Sequence, residues 1–228
     1  MNRLVRLELG TVQLPDTHPR AADGHCPILC FAVVHPDGVV VVDTGPRAGH
    51  PVIDELYAPQ VVSIVEALHQ AGIDEREVGD IVNTHLHFDH CGQNDRLPQA
   101  NVWVTAEEVE AAAQPMYTVP QWAAIDADRL RLGRDDTEVA DGVRLLHTPG
   151  HTPGHQSVAV QTTLGLEIVA GQTCYSCAEF DSDAPMVADM HDDSWLVAGT
   201  ESLRRLQALT ADVCHFSHDR STWQPSAR

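Results

Sequence analysis

The chain has 228 residues, with 14 Lys and Arg against 33 Asp and Glu, giving a formal net charge of −19. That length can bury about 70% of the surface of the unfolded chain. So acidic a surface, with no basic cluster to offset it, repels phosphate backbones, and no nucleic-acid partner is expected.

From the N-terminus, Met1–Glu8 is charged at intervals and lacks the apolar run of about 7 to 15 residues that marks a secretory signal. Nothing approaches about 18 consecutive apolar residues, so the expectation is a cytoplasmic protein with no membrane partner. The six cysteines then read as reduced thiols, and the Cys174/Cys177 pair has no second CxxC to complete a zinc site. Leu4–Gln13 and Ile28–Val34 read as strands, and Val39–Asp43 follows the hairpin signal His35-Pro36-Asp37-Gly38. Val61–Ala71 has helical spacing and stops at Gly72. Ile81–Thr84 and Val102–Thr105 are predicted as short buried strands. Thr105 is placed to cap a helix over Ala106–Gln114, with Glu107 and Glu108 in its first turn. Pro115–Ile125 shows no clear period. Val143–Leu146, Ser157–Gln161 and Leu166–Ala170 return to strands, Leu196–Leu209 is a helix, and Val213–Phe216 closes the chain. Strands gathered at both ends with helices between them predict an α/β fold of two packed sheets covered by outer helices.

The chemistry concentrates in His85-Leu86-His87-Phe88-Asp89-His90, four metal-ligating side chains in six positions directly after an apolar run. A strand ending at Thr84 would point His85 and His87 to one side, while Asp89 and His90, adjacent in sequence, are expected to leave the turn in different directions. Such a set suits two neighbouring metals better than one closed cage. More donors lie downstream. The segment His147-Thr148-Pro149-Gly150-His151-Thr152-Pro153-Gly154-His155 presents His151 and His155 from tight turns, and only one of them is needed. Near the C-terminus, Val213-Cys214-His215-Phe216-Ser217-His218-Asp219 offers His215 and His218, of which His218 is the better candidate.

The segments Val40-Val41-Val42-Asp43-Thr44-Gly45, Asp80 to Gly92, Thr148-Pro149-Gly150-His151 and Phe216-Ser217-His218-Asp219 together resemble the metallo-β-lactamase superfamily along nearly the whole chain. His151 to Ser157, then Tyr175 and the Phe-Ser-His-Asp ending, are similar to its N-acyl homoserine lactonase branch. The resemblance implies a single domain over 1–228, built as a four-layered αβ/βα sandwich of two mixed sheets flanked by helices. It implies a first metal at His85, His87 and His151 and a second at Asp89, His90 and His218, with His155 structural. Zinc is the expected cofactor, as one or two ions, with iron or manganese also compatible. The implied activity is opening of a lactone or ester, such as an N-acyl homoserine lactone, by metal-activated hydroxide; in a cell this is quorum quenching. Asp89 would carry the proton and Tyr175 would face the substrate carbonyl.

One position departs from the family pattern. A metal-bridging aspartate is expected three residues before the substrate-facing tyrosine, and Gln172 stands there. A carboxamide offers one acceptor oxygen and no charge, so the second metal is expected to be labile, or rescued by Glu179, Asp181 or Asp183. A small-molecule substrate pocket is expected around Phe88, Met116, Tyr117 and Trp122. The alternatives are a thioester hydrolase of the glyoxalase II type, whose basic C-terminal extension is not seen after His218, and a weakly active or non-catalytic metal-binding protein. The oligomeric state is open, a homodimer being one option.

Overall fold

The apolar runs of the first third of the chain build an antiparallel ribbon, seen in a computed structural model that describes residues 1–18, 20–182 and 193–225. β1 (Arg3–Gln13) pairs with β2 (His25–His35), and a two-residue turn at Pro36 and Asp37 returns the chain as β3 (Gly38–Val42). There follow α1 (Pro51–Tyr57), β4 (Gln60–Val61), α2 (Ile64–Gln70), β5 (Val78–Val82), the single turn α3 (Phe88–Cys91), β6 (Asn101–Val104), α4 (Ala106–Ala112), α5 (Pro120–Ala123) and β7 (Leu130–Leu132). The second half contains β8 (Glu138–Ala140), β9 (Val143–His147), β10 (Gln156–Thr162), β11 (Gly165–Val169), α6 (Cys177–Asp181), α7 (Asp193–Ala208) and β12 (Val213–His215). One sheet has the order β4-β1-β2-β3-β5-β6-β7 and the other β12-β11-β10-β9-β8. Both are mixed: β3, β5, β6 and β7 run parallel in the first, β11 and β12 in the second.

Side-chain alternation shows why β2 and β3 read as unbroken apolar runs. Ile28, Cys30 and Ala32 of β2 and Val39 and Val41 of β3 enter one core, shared with Ile53 of α1 and Ile64 and Leu68 of α2. The intervening Leu29, Phe31, Val33, Val40 and Val42 enter another, where they meet Val143 and Leu145 of β9, Val158 and Val160 of β10, and Val169 of β11. The opposite face of the second sheet, Leu146, Ala159 and Ile168, packs on Leu203 and Leu206 of α7. Each central strand is buried on both faces, as a strand sandwiched between a sheet and a helical layer must be. The result is helices, sheet, sheet, helices: the expected αβ/βα sandwich.

Several local expectations need correction. Val61 belongs to β4, paired to β1 beside Gly10, so α2 starts only at Ile64, after Ser63. α4 ends at Ala112 rather than Gln114. α5 forms one helical turn in the segment without a period, begun by Pro120. β5 ends at Val82 instead of Thr84, because the Thr84 N–H turns to the Asp43 carboxylate at 2.8 Å instead of continuing the ladder. Among the described residues no helix is long and apolar enough to cross a membrane, and the six cysteines are free thiols.

Candidate metal centre

The donor side chains sit where strands of both sheets end. Asp43 directly follows β3, His85 to His90 follow β5, His151 lies in the β9–β10 loop, Gln172 follows β11 and His218 follows β12. Parallel pairing of β3 with β5, and of β11 with β12, brings these carboxyl ends to common edges.

His85, His87 and His151 meet at their ring nitrogens. His151 Nε2 lies 3.1 Å from both His85 Nε2 and His87 Nδ1. Burial pushes the pKa of His85 and His151 well down and that of His87 to about 4, so all three are neutral near pH 7. Neutral imidazoles that aim lone pairs at one point repel one another unless a cation lies between them. Tetrahedral donors with bonds of about 2.05 Å stand about 3.3 Å apart, close to the spacing here. His85 is oriented through Nδ1, 3.1 Å from Thr84 Oγ1, whose hydroxyl donates to Asp43 Oδ2 at 2.8 Å.

Asp89, His90 and His218 form a second group, with Asp89 Oδ2 at 3.5 Å from His90 Nε2 and 3.9 Å from His218 Nε2. Asp89 and His90, expected to leave the turn in different directions, have their tips together on α3, in the grouping that the resemblance implied. The other nitrogen of each ring is committed: His90 Nδ1 donates to Asp43 Oδ2 at 2.8 Å, and His218 Nδ1 to the Pro27 carbonyl at 3.1 Å. Nε2 of both rings is then the nitrogen that faces Asp89, buried and without a hydrogen-bond partner among the described residues. Burial pushes His90 down, but Asp89 and Asp43 outweigh it and lift its pKa to about 10. His218, with burial dominant, falls to about 4. Burial likewise raises Asp89, but the neighbouring imidazoles, His90 first, hold it below the usual carboxylate range. Asp43 and Asp89 thus favour positive charge in the second group, a proton on His90 without a metal, and the three donor atoms lie close enough together, like those of the first group, to hold a divalent cation in its place.

His155 is excluded as a ligand by its partners. Its Nδ1 donates to the Thr148 carbonyl at 2.9 Å, and its Nε2 accepts the Gln172 N–H at 2.9 Å. Gly171, at φ 61°, lies so close that a Cβ there would sit 2.6 Å from His155 Nε2. His215 is also elsewhere, 2.8 Å from Glu167 and against Phe31.

Both groups open on one cavity of about 440 Å³, lined by His87, Asp89, His151, Gln172 and His218 together with Leu14, Phe88, Met116, Tyr117 and Trp195. Trp122 does not reach it: the indole packs beside the first core with Arg47 over its ring and His50 at its edge. Tyr175 does, stacked on His218 with its hydroxyl 3.2 Å from His18 Nε2. The carboxylates expected to substitute for a bridging aspartate have other work. Glu179 accepts the N–H groups of Tyr175 and Ser176 and pairs with Arg20, and Asp181 accepts the Trp223 indole N–H. Asp183 lies outside the described residues. Sequence reasoning missed Asp43, whose signal was an acidic residue directly after an apolar strand, and Trp195, which lay one residue outside the helix expected over Leu196–Leu209.

The profile of the metallo-beta-lactamase superfamily matches residues 23–218. An N-acyl homoserine lactonase of Bacillus sp is 27% identical over 206 residues, spanning 85% of this chain and 81% of the relative. The N-acyl homoserine lactonase AttM of Rhizobium radiobacter is 30% identical over 186 residues, spanning 70% and 71%. A solved quorum-quenching N-acyl homoserine lactone lactonase superposes with a TM-score of 0.79 at 26% identity, covering 95% of this chain and 92% of that one. The dizinc quorum-quenching lactonase AidC, at 16% identity, shares the fold with a TM-score of 0.75 over 100% of this chain and 91% of its own.

Proposed function

Since the chain belongs to the metallo-beta-lactamase superfamily of hydrolases, we propose that it opens the ring of lactones of the N-acyl homoserine type. The observation that carries this reading is the pair of donor groups opening on one cavity of about 440 Å³ whose lining is largely apolar. The relatives are N-acyl homoserine lactonases, which supports it. His85, His87 and His151 would hold one ion and Asp89, His90 and His218 another. Divalent ions at such sites, zinc first among them, acidify water and polarise a carbonyl oxygen.

The chain's own residues supply the remainder. Asp89 receives the proton shed by the attacking water and returns it to the alkoxide as the ring opens. The Tyr175 phenol, on the cavity wall beside His218, donates to the carbonyl oxygen as negative charge develops there. Phe88 and Tyr117 exclude water and receive the acyl portion, together with the exposed Met116. Gln172 leaves the second group with a single carboxylate, so the second ion binds more weakly than the first. A strained lactone tolerates that loss better than an amide.

The test is hydrolysis of a lactone panel by metal-free protein and by protein loaded with zinc or manganese, with Gln172→Asp alongside. Metal-dependent lactone opening is expected, with the weaker metal-binding step tightened on the order of tenfold by Gln172→Asp. Background rates in every loaded sample, or turnover of thioesters alone, would overturn the proposal.

A further inference from the structure

We infer that Glu108 is the positioning residue of the first donor group, one buried carboxylate that fixes His85, His87 and His151 through their neighbours; this rests on reading that group as a metal subsite. Glu108 lies fully buried on α4, outside the donor groups themselves. Its Oε1 accepts the main-chain N–H of Leu86 at 2.8 Å, and Leu86 is the residue between His85 and His87. The same oxygen accepts the Tyr117 hydroxyl, and the Tyr117 ring so held lies against the His87 ring, 4.7 Å between centroids. Its Oε2 accepts the Thr152 hydroxyl at 2.7 Å, and Thr152 follows His151. Every imidazole of the group is thus one residue, or one ring contact, from a bond to this carboxylate.

The helix bearing Glu108 is keyed to the same loops. Thr105 Oγ1 donates to the Gly154 carbonyl at 2.8 Å, and a Cβ on Gly154 would sit 2.2 Å from the Glu108 nitrogen. A carboxylate in so apolar a place is retained only with its acceptors filled, and here all its partners are donors. A carboxamide would turn an NH2 group toward at least one of those donors. Asp43 orients the second group by bonding His90 directly. Glu108 serves the first at one remove, setting the angle between two ligand loops rather than the tautomer of one ring. Partners of this kind affect metal affinity by about 10- to 100-fold.

The test uses metal-free full-length protein titrated with zinc against a chromophoric chelator, and thermal midpoints with and without zinc, for Glu108→Gln, Thr152→Val and Thr152→Ser. Glu108→Gln and Thr152→Val are expected to weaken the tighter zinc-binding step by about 10- to 100-fold and to shrink the zinc-induced rise in midpoint. Thr152→Ser, which keeps the hydroxyl, is expected to restore both. A purely structural role would lower the midpoints of metal-free and loaded protein equally and leave affinity unchanged, and that result would overturn the inference. These readouts need no substrate, so they stand or fall separately from lactone turnover. Failure of the wild-type protein to bind zinc would overturn both proposals.

Discussion

Asp43 shows how much of the site a single residue can organise. It is buried, sits at φ 60°, and its two oxygens accept the Thr84 N–H, the Thr84 hydroxyl and His90 Nδ1. A left-handed backbone is unusual for a residue with a Cβ, and Asp and Asn are among the few that adopt it readily. Asp43→Asn should therefore keep the turn while removing the charge and one acceptor from His90. Zinc affinity at the second group is expected to fall by about 10- to 100-fold with the circular dichroism spectrum unchanged. Unaltered affinity by chelator competition would reduce Asp43 to a brace for the turn. The candidate ligands were legible in the sequence, because His85, His87, Asp89 and His90 announce their chemistry by type and spacing, and the fold brings them into two groups able to hold a metal ion. The role of Asp43 was not, because its partner His90 lies 47 residues away and only the parallel pairing of β3 with β5 brings them together.

At the scale of elements, the junction of α4 with the β9–β10 loop couples helix stability to ligand placement. Thr105 Oγ1 accepts the Glu108 N–H at 3.2 Å as an N-cap and donates to the Gly154 carbonyl at 2.8 Å. Thr105→Ala removes the cap and strands a buried carbonyl, so a loss of about 1 to 3 kcal/mol is expected in urea unfolding. A change below about 0.5 kcal/mol would show that water replaces both bonds. The cap was readable because Thr105 stands between an apolar strand and a helical pattern. The doubly buried β2, β3 and β10 were readable for a similar reason, since burial on both faces leaves unbroken apolar runs. β7, β8 and α6 were not read, being too short to show a period of their own, and α1 was not read because only Ile53 of its seven residues is buried, leaving no apolar stripe. Trp122 was misplaced because its size marks it as buried against something without saying what; Arg47 and His50 claim it instead of the cavity.

For the whole molecule, the donors come from both sheets: His85, His87, Asp89 and His90 from the first, His151 and His218 from the second. A metal held there ties the two halves of the sandwich, and its removal should lower one cooperative transition rather than open a local segment. With free zinc at about 100 times its dissociation constant, the stabilisation is about 2.7 kcal/mol. Acid should then act on the metal-free protein. His87 and His218 lie at about 4 and His155 at about 3 in the fold, each driven there chiefly by burial, against about 6.5 in the unfolded chain. Between about pH 6.5 and 4 the unfolded state binds more protons at these rings, so stability falls as pH drops, by up to about 1.4 kcal/mol per pH unit for each. His90 acts in the opposite sense: its folded pKa near 10 gives stability fully present below about 6.5 and lost as pH rises through 10. Calorimetry of metal-free and zinc-loaded protein at pH 7.5 and 5 separates these effects. The expected order of midpoints is zinc-loaded at pH 7.5, then metal-free at pH 7.5, then metal-free at pH 5. A midpoint indifferent to chelator at pH 7.5 would argue against a metal spanning the sheets, and equal metal-free midpoints at the two pH values would argue against neutral imidazoles at the seam.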